Sequence, residues 1–171
     1  MQALAKPYTN FQATVLVALR ILIGWHFLYE GLAKLTNPYW SSAGYLSQAQ
    51  WWFDGTFLNI GASPSALAVV DFLNIWGLIL IGLGLTLGCL ARHAAIAGVV
   101  LLALYYIAAP PFVNFAYSMP SEGSYLVVNK VLIELVALLA IVAFTTSKVF
   151  GLDRFIFWKS SAGHEALRSA S

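Results

Sequence analysis

Four ionisable residues lie within one strongly apolar stretch of this chain, residues 11–35. They are Arg20, His26, Glu30 and Lys34. An ionisable side chain at bilayer depth costs roughly 2.5–3.5 kcal/mol on insertion scales, so it is expected to face a partner or a wet cavity rather than lipid. At 3.6 residues per turn, all four fall within about a third of a helix circumference. The stretch therefore predicts a helix with one ionic face, able to carry protons or bind a polar ligand, and one lipid-facing side.

Two later apolar stretches carry polar residues at a similar depth. Asp71 and Asn74 lie in one, and Asn129, Lys130 and Glu134 lie in the other. At 1.5 Å per residue, all of them lie about 6–13 Å below the outer ends of their helices, as do the first helix's histidine and glutamate. Three helices are thus predicted to place one polar cluster in the outer half of the membrane.

The cluster has two interpretations. In the functional one it forms an outward-facing polar pocket, in which the carboxylates Glu30, Asp71 and Glu134 handle protons. The candidate ligand-binding residues are then Arg20, His26, Lys34, Asn74, Asn129 and Lys130. In the structural alternative, the i,i+4 neighbours Glu30–Lys34, His26–Glu30 and Lys130–Glu134 pair within their helices, and the network holds the bundle together.

Arg20 is set apart from the cluster, since it lies about 15 Å from Glu30 along the helix axis and in the inner half. No metal site is expected, because the other histidines, His93 and His164, lie at the inner face and in the C-terminal tail. A single cysteine, Cys89, excludes an internal disulfide.

The composition is that of a membrane protein. The 171 residues are 60% hydrophobic and only 9% charged, whereas soluble domains carry about 25% charged residues. Most of the Lys and Arg residues lie beside or inside apolar segments, and no basic patch interleaved with aromatics is present, so nucleic acid is excluded as a partner. The bilayer itself is the expected environment.

The apolar runs predict an all-α membrane protein with a four-transmembrane-helix bundle in residues 1–146. The predicted spans are about 12–35, 65–88, 93–109 and 125–146, each near the length needed to cross a bilayer. Ser63 followed by Pro64 is typical of a helix start and predicts where the second span begins. Residues 147–171 are predicted to form a cytoplasmic, amphipathic interfacial segment and a flexible tail.

The distribution of charge predicts the orientation. Residues 36–63 and 110–124 contain no Lys or Arg, whereas the other connections and both termini do. By the positive-inside rule both termini are cytoplasmic, in a membrane of the bacterial inner type. The two outer loops are rich in Trp, Tyr and Phe, and two interpretations stay open for them: an aromatic belt at the outer surface, or a lid.

Three segments resemble the DoxX/DoxD-like membrane family. They are LRILIGWHFLYEGLAKL at 19–35, DFLNIWGLILIGLG at 71–84 and NKVLIE at 129–134. The resemblance implies a four-helix membrane bundle and points to the DoxD-type subunit of thiosulfate:quinone oxidoreductase. Its motif positions are Arg20, Gly24, Gly31 and Lys34.

The leading functional hypothesis is an integral membrane subunit of a quinone-linked redox system, an oxidoreductase subunit with quinone as a non-covalent cofactor. The balanced charge of the cluster favours protons or a neutral headgroup over a thiosulfate dianion. His26 or the outer tyrosines, Tyr105 and Tyr106, would contact the quinone head. A partner redox subunit and a homo-oligomer are both compatible with this hypothesis. The alternatives are a non-catalytic membrane scaffold or anchor for a partner enzyme and, less favoured, a small-solute or proton transporter.

Overall fold

The computed structural model describes residues 9–112, 115, 117 and 126–144, and every regular element in that part of the chain is an α-helix. Six helices follow one another: α1 (Asn10–Thr36), α2 (Ala43–Leu46), α3 (Asp54–Ala62), α4 (Pro64–Leu87), α5 (Ala91–Ala108) and α6 (Lys130–Ala143). The two short helices α2 and α3 lie in the segment that the sequence predicts only as an aromatic-rich loop.

Three of these helices, α1, α4 and α5, are long and apolar enough to cross a membrane. The prediction of a helical, multi-pass membrane protein is therefore confirmed. Helix α6 has 14 residues, and the predicted fourth span, 125–146, extends past the described residues at both ends. The four-span count and the cytoplasmic orientation of the termini stay predictions, and the segment 147–171 lies outside the described residues.

Local sequence signals set the helix ends. Helix α1 starts with a capping box, in which the Gln12 backbone N–H donates to Thr9 Oγ1 at 3.2 Å and the Thr9 N–H donates to Gln12 Oε1 at 2.9 Å. Helix α4 starts with Pro64 in its first turn, as predicted. It ends at Gly88, whose φ of 69° closes the helix in the left-handed region. Because only residues 88–90 connect α4 to α5, the two helices pack antiparallel.

Glycines bring α1 and α4 into close contact. A Cβ on Gly24 would lie 2.8 Å from the backbone nitrogen of Thr86, and one on Gly31 would lie 2.9 Å from that of Ile79. Gly82 of α4 makes a similar approach to the α1 backbone. Small residues at a helix interface let two backbones approach and gain dispersion contacts, which is how helices associate in lipid. This packing gives the motif glycines of α1 a structural role.

The four longer helices form a closed arrangement, in which α4 packs on α1 and α5, and α6 packs on α5 and α1. Each helix contributes one residue to the shared apolar core that is at most 2% exposed to solvent. These residues are Phe27, Leu85, Ala95 and Leu138. We call the end of the bundle where α1 and α5 end and α4 and α6 begin the loop-bearing end. The polar residues of the predicted cluster lie between the apolar core and this end.

Candidate functional site: a polar cavity between the helices

A cavity of about 220 Å³ lies between α1, α4, α5 and α6 on the loop-bearing side of the core. Its walls combine charged, hydroxyl and apolar side chains: His26, Phe27, Glu30, Lys34, Leu78, Leu102, Tyr105, Lys130, Val131 and Glu134. Of the nine candidate residues from the sequence, five line this cavity. A small apolar-lined space with a few converging polar groups is typical of a ligand site.

The closest charged contact in the cavity wall joins α1 to α6. Nδ1 of His26 lies 2.7 Å from Oε1 of Glu134, and the Glu134 side chain is only 11% exposed. The i,i+4 spacing predicts that His26 pairs with Glu30 and that Glu134 pairs with Lys130. In the structure His26 and Glu134 instead contact each other across the bundle. The contact orients the imidazole ring through Nδ1, and the second ring nitrogen, Nε2, takes no part in it. A histidine held by a carboxylate in this way can take up and release a proton.

Lys34 is held on several sides by the protein. Its Nζ lies 3.9 Å from Glu30 Oε2, the pair expected from the i,i+4 spacing, and donates to Asn74 Oδ1 at 3.3 Å. The ammonium group also lies 5.1 Å from the ring centroid of Trp40 and 5.7 Å from that of Tyr105, both within cation–π range. Lys34 is thus a positioned charge at the loop-bearing side of the cavity.

Asn74 connects this lysine to Tyr105. Its side chain is buried, with 8% of the residue exposed, and its Nδ2 donates to the Tyr105 hydroxyl at 2.6 Å. A hydroxyl group that accepts a hydrogen bond keeps its own proton as a donor, and Tyr105 lines the cavity. The neighbouring Tyr106 instead donates to the backbone oxygen of Val127 at 2.7 Å. Of the two outer tyrosines considered from the sequence, Tyr105 is therefore the one in the site.

Asp71 lies on α4 but is not among the residues lining the cavity. Its carboxylate accepts hydrogen bonds from the Ser41 hydroxyl at 2.9 Å, from the Ser42 backbone N–H at 2.8 Å and from the Ser42 hydroxyl. The structure thus brings Asp71 together with the segment that follows α1, rather than with Glu30 and Glu134.

Two further candidates also lie apart from the cavity. Oδ1 of Asn129 accepts from the Leu132 backbone N–H at 2.9 Å, which makes Asn129 the N-cap of α6. Arg20 is 1% exposed and lies about 9 Å from His26 along α1, on the side away from the loop-bearing end. Asn129 therefore caps a helix, and Arg20 is buried in the half of the bundle away from the loop-bearing end.

The sequence leaves both a belt and a lid open for the aromatic-rich segment 36–63, and it does not identify which residues of that segment contact the cavity wall. Trp40 packs over Lys34, and the Tyr45 hydroxyl donates to the backbone oxygen of Tyr105 at 2.7 Å. Burial raises the pKa of Tyr45, so this hydroxyl stays protonated as a donor. The aromatic density of the segment was the available signal, but composition alone did not distinguish a belt from a cover.

These helices, with charged groups converging on a cavity between them, define a multi-pass helical membrane protein. The DoxX family model matches residues 15–111, more than half of the chain, and the protein belongs to the DoxX family. The match spans α1 to α5, while Lys130 and Glu134 of α6 follow it. No curated protein and no solved structure matches the chain significantly. The finer assignment to the DoxD type stays a prediction.

Proposed function

We propose that the cavity binds the headgroup of a membrane quinone and that the chain is an integral membrane subunit of a quinone-linked redox system. The observation that carries the proposal is the contact between His26 and Glu134 at 2.7 Å, in the wall of a cavity among four helices, three of which are long and apolar enough to cross a membrane. Quinone chemistry needs a proton carrier at membrane depth, and this pair is suited to that task.

Reduction of a quinone to a quinol takes up two electrons and two protons. In the proposed site the Tyr105 hydroxyl and Nε2 of His26 would hold the two carbonyl oxygens of the ring by hydrogen bonds. Glu134 and Glu30 would relay two protons from the aqueous phase to those oxygens as negative charge develops there, each carboxylate passing on one proton and returning to its ionised form. The electrons come from a partner redox protein, so the chain acts as the quinone-binding part of a larger system.

The size and charge of the cavity support a ring-sized neutral ligand. Its volume of about 220 Å³ is below the range of about 300–1,000 Å³ for drug-sized ligands, which favours a single ring over a larger ligand. The isoprenoid tail of a quinone would then stay among the lipids. Glu30 and Glu134 balance Lys34 and Lys130 around it. A site without surplus positive charge gives little attraction to a dianion such as thiosulfate.

We further propose that the loop-bearing end faces outward across a bacterial-type inner membrane. The segments 36–63 and 110–124, which follow α1 and α5 in the chain, contain no Lys or Arg, while Arg92 lies in the first turn of α5, two residues after the connection 88–90. Retention of positive charge on the cytoplasmic side favours this orientation. The site would then exchange protons with the outer aqueous phase.

A titration with a short-tailed quinone tests the proposal on the detergent-purified protein, with native mass spectrometry to count bound molecules. We expect one quinone per chain, and a loss of affinity of about tenfold or more in His26→Ala, since a hydrogen bond involving a charged group contributes about 1.5–3 kcal/mol. His93→Ala is the matched control, because His93 is an exposed residue of α5 that does not line the cavity. Absence of quinone binding, or equal losses in both variants, would refute the proposal.

A second candidate function, a non-catalytic anchor for a partner enzyme, is favoured by the binding of Lys34 to Glu30 and Asn74 on two helices. In that case the polar groups stabilise the bundle and need no ligand. Glu134→Gln separates the two candidates. The anchor predicts a lower unfolding temperature with partner binding intact, whereas the redox subunit predicts near-normal folding and lost quinone turnover.

A further inference from the structure

We propose that Asp71 is a positioning residue that holds residues 37–46 as a cover over the cavity, with Trp40 and Tyr45 as the parts that reach the ligand site. The inference rests on the cavity and its surroundings, and it holds whether the ligand is a quinone or another small molecule.

The carboxylate of Asp71 is the point at which α4 holds the cover. It accepts from the backbone N–H and the hydroxyl of Ser42 and from the hydroxyl of Ser41. Ser42 is 6% exposed, so its two bonds to Asp71 are partly shielded from solvent, whereas the bond from Ser41 is exposed. Hydrogen bonds to a carboxylate are about twice as strong as those between neutral groups. Three donors on one carboxylate therefore fix the backbone of the cover at Ser42.

The cover has little regular structure of its own to hold it in place. Its helix α2 has four residues, and the side chain of its N-cap, Ser42, makes no capping hydrogen bond because it bonds to Asp71 instead. A single helical turn is unstable in isolation, since helix nucleation is unfavourable. The position of the segment thus depends on contacts with the bundle, and the carboxylate supplies the most strongly bonded of them.

Two aromatic residues on either side of Ser42 connect the cover to the cavity wall. Trp40 lies over the Lys34 ammonium group, and Tyr45 donates to the Tyr105 backbone oxygen while its ring packs edge-on against the Tyr105 ring, with centroids 5.8 Å apart. The side chain of Lys34 is only 17% exposed, and the Trp40 ring is one of the groups that surround it. Exclusion of water around a charge strengthens its interactions with the cavity, so the cover affects the electrostatics of the site.

Acylation of Lys34 by a water-soluble amine reagent, located by peptide mass spectrometry, tests the inference on the full-length protein in detergent. In Asp71→Ala we expect Lys34 to be acylated about tenfold faster than in the wild type, because the cover opens locally. Asp71→Asn, which keeps one acceptor oxygen, should give a smaller increase. Asp54→Ala is the matched control, since the Asp54 carboxylate accepts from the adjacent Gly55 N–H at 2.6 Å and should leave the rate unchanged.

A double substitution separates opening of the cover from loss of charge. Ser41→Ala with Ser42→Ala removes two donors but keeps the Asp71 charge, so faster acylation there cannot come from altered electrostatics. Alkylation of Cys89, in the turn at the opposite end of the bundle, reports general unfolding in the same samples. An unchanged Lys34 rate in Asp71→Ala or in the double variant would overturn the inference. So would a parallel rise in Cys89 alkylation by the same factor.

Discussion

The glycine contact between α1 and α4 gives a sharp test of the packing, because the same helix offers a matched control. A Cβ on Gly82 would lie 2.7 Å from the Cα of Leu28, whereas one on Gly77 would meet nothing within 4 Å. Both glycines lie inside α4, so replacement by alanine brings the same gain in helix propensity, about 0.8–1 kcal/mol. Only Gly82→Ala adds a steric overlap.

The expected size of the effect follows from the atoms involved. The overlap at Gly82 is with backbone, which cannot rotate away as a side chain would, so α1 and α4 must separate. Overpacking of this kind costs about 1–3 kcal/mol. In a protein of this length, 1 kcal/mol shifts the unfolding temperature by about 2–4 °C. Gly82→Ala should therefore unfold roughly 2–12 °C below Gly77→Ala, which itself should match or exceed the wild type.

Thermal unfolding in one detergent, followed by size-exclusion of the remaining folded protein, measures this difference. The comparison between two alanine variants of one helix cancels the propensity term and most effects of the micelle. If Gly82→Ala were as stable as Gly77→Ala, the close approach of the α1 and α4 backbones would be wrong, and with it the alignment that brings Lys34 to Asn74.

Two further substitutions test individual contacts. Asn129→Ala removes the N-cap of α6 and should lower the free energy of unfolding by about 1 kcal/mol without changing quinone affinity. Asn59→Ala, at an exposed position of α3, is the control. It should stay within about 0.5 kcal/mol of the wild type in the same unfolding assay. Asn74→Ala removes the side chain that bonds to both Lys34 and the Tyr105 hydroxyl, and it should lower the free energy of unfolding by about 1–3 kcal/mol. A decrease of less than about 0.5 kcal/mol would show that these two hydrogen bonds contribute little to stability.

The sequence by itself determined the class of the protein and most helix positions. Long apolar runs have few stable conformations in a bilayer other than helices, since every backbone polar group must be satisfied within the segment. The start of α4 at Pro64 and the pairing of Glu30 with Lys34 were also predictable, because a proline in the first turn and an i,i+4 spacing act within one helix. Local chemistry is sufficient for features of this kind.

The tertiary structure decided which polar groups meet. His26 and Glu134 are 108 positions apart, and their contact depends on how α1 and α6 rotate about their own axes. Asp71 shares its depth with the other carboxylates, yet its place on α4 directs it to Ser42 of the cover. Depth along a helix follows from counting residues, but direction around the bundle follows from packing, here set by glycines that admit a neighbouring backbone. The predicted cluster is therefore divided into a cavity whose wall contains the His26–Glu134 contact and a separate carboxylate, Asp71, that bonds to the segment after α1.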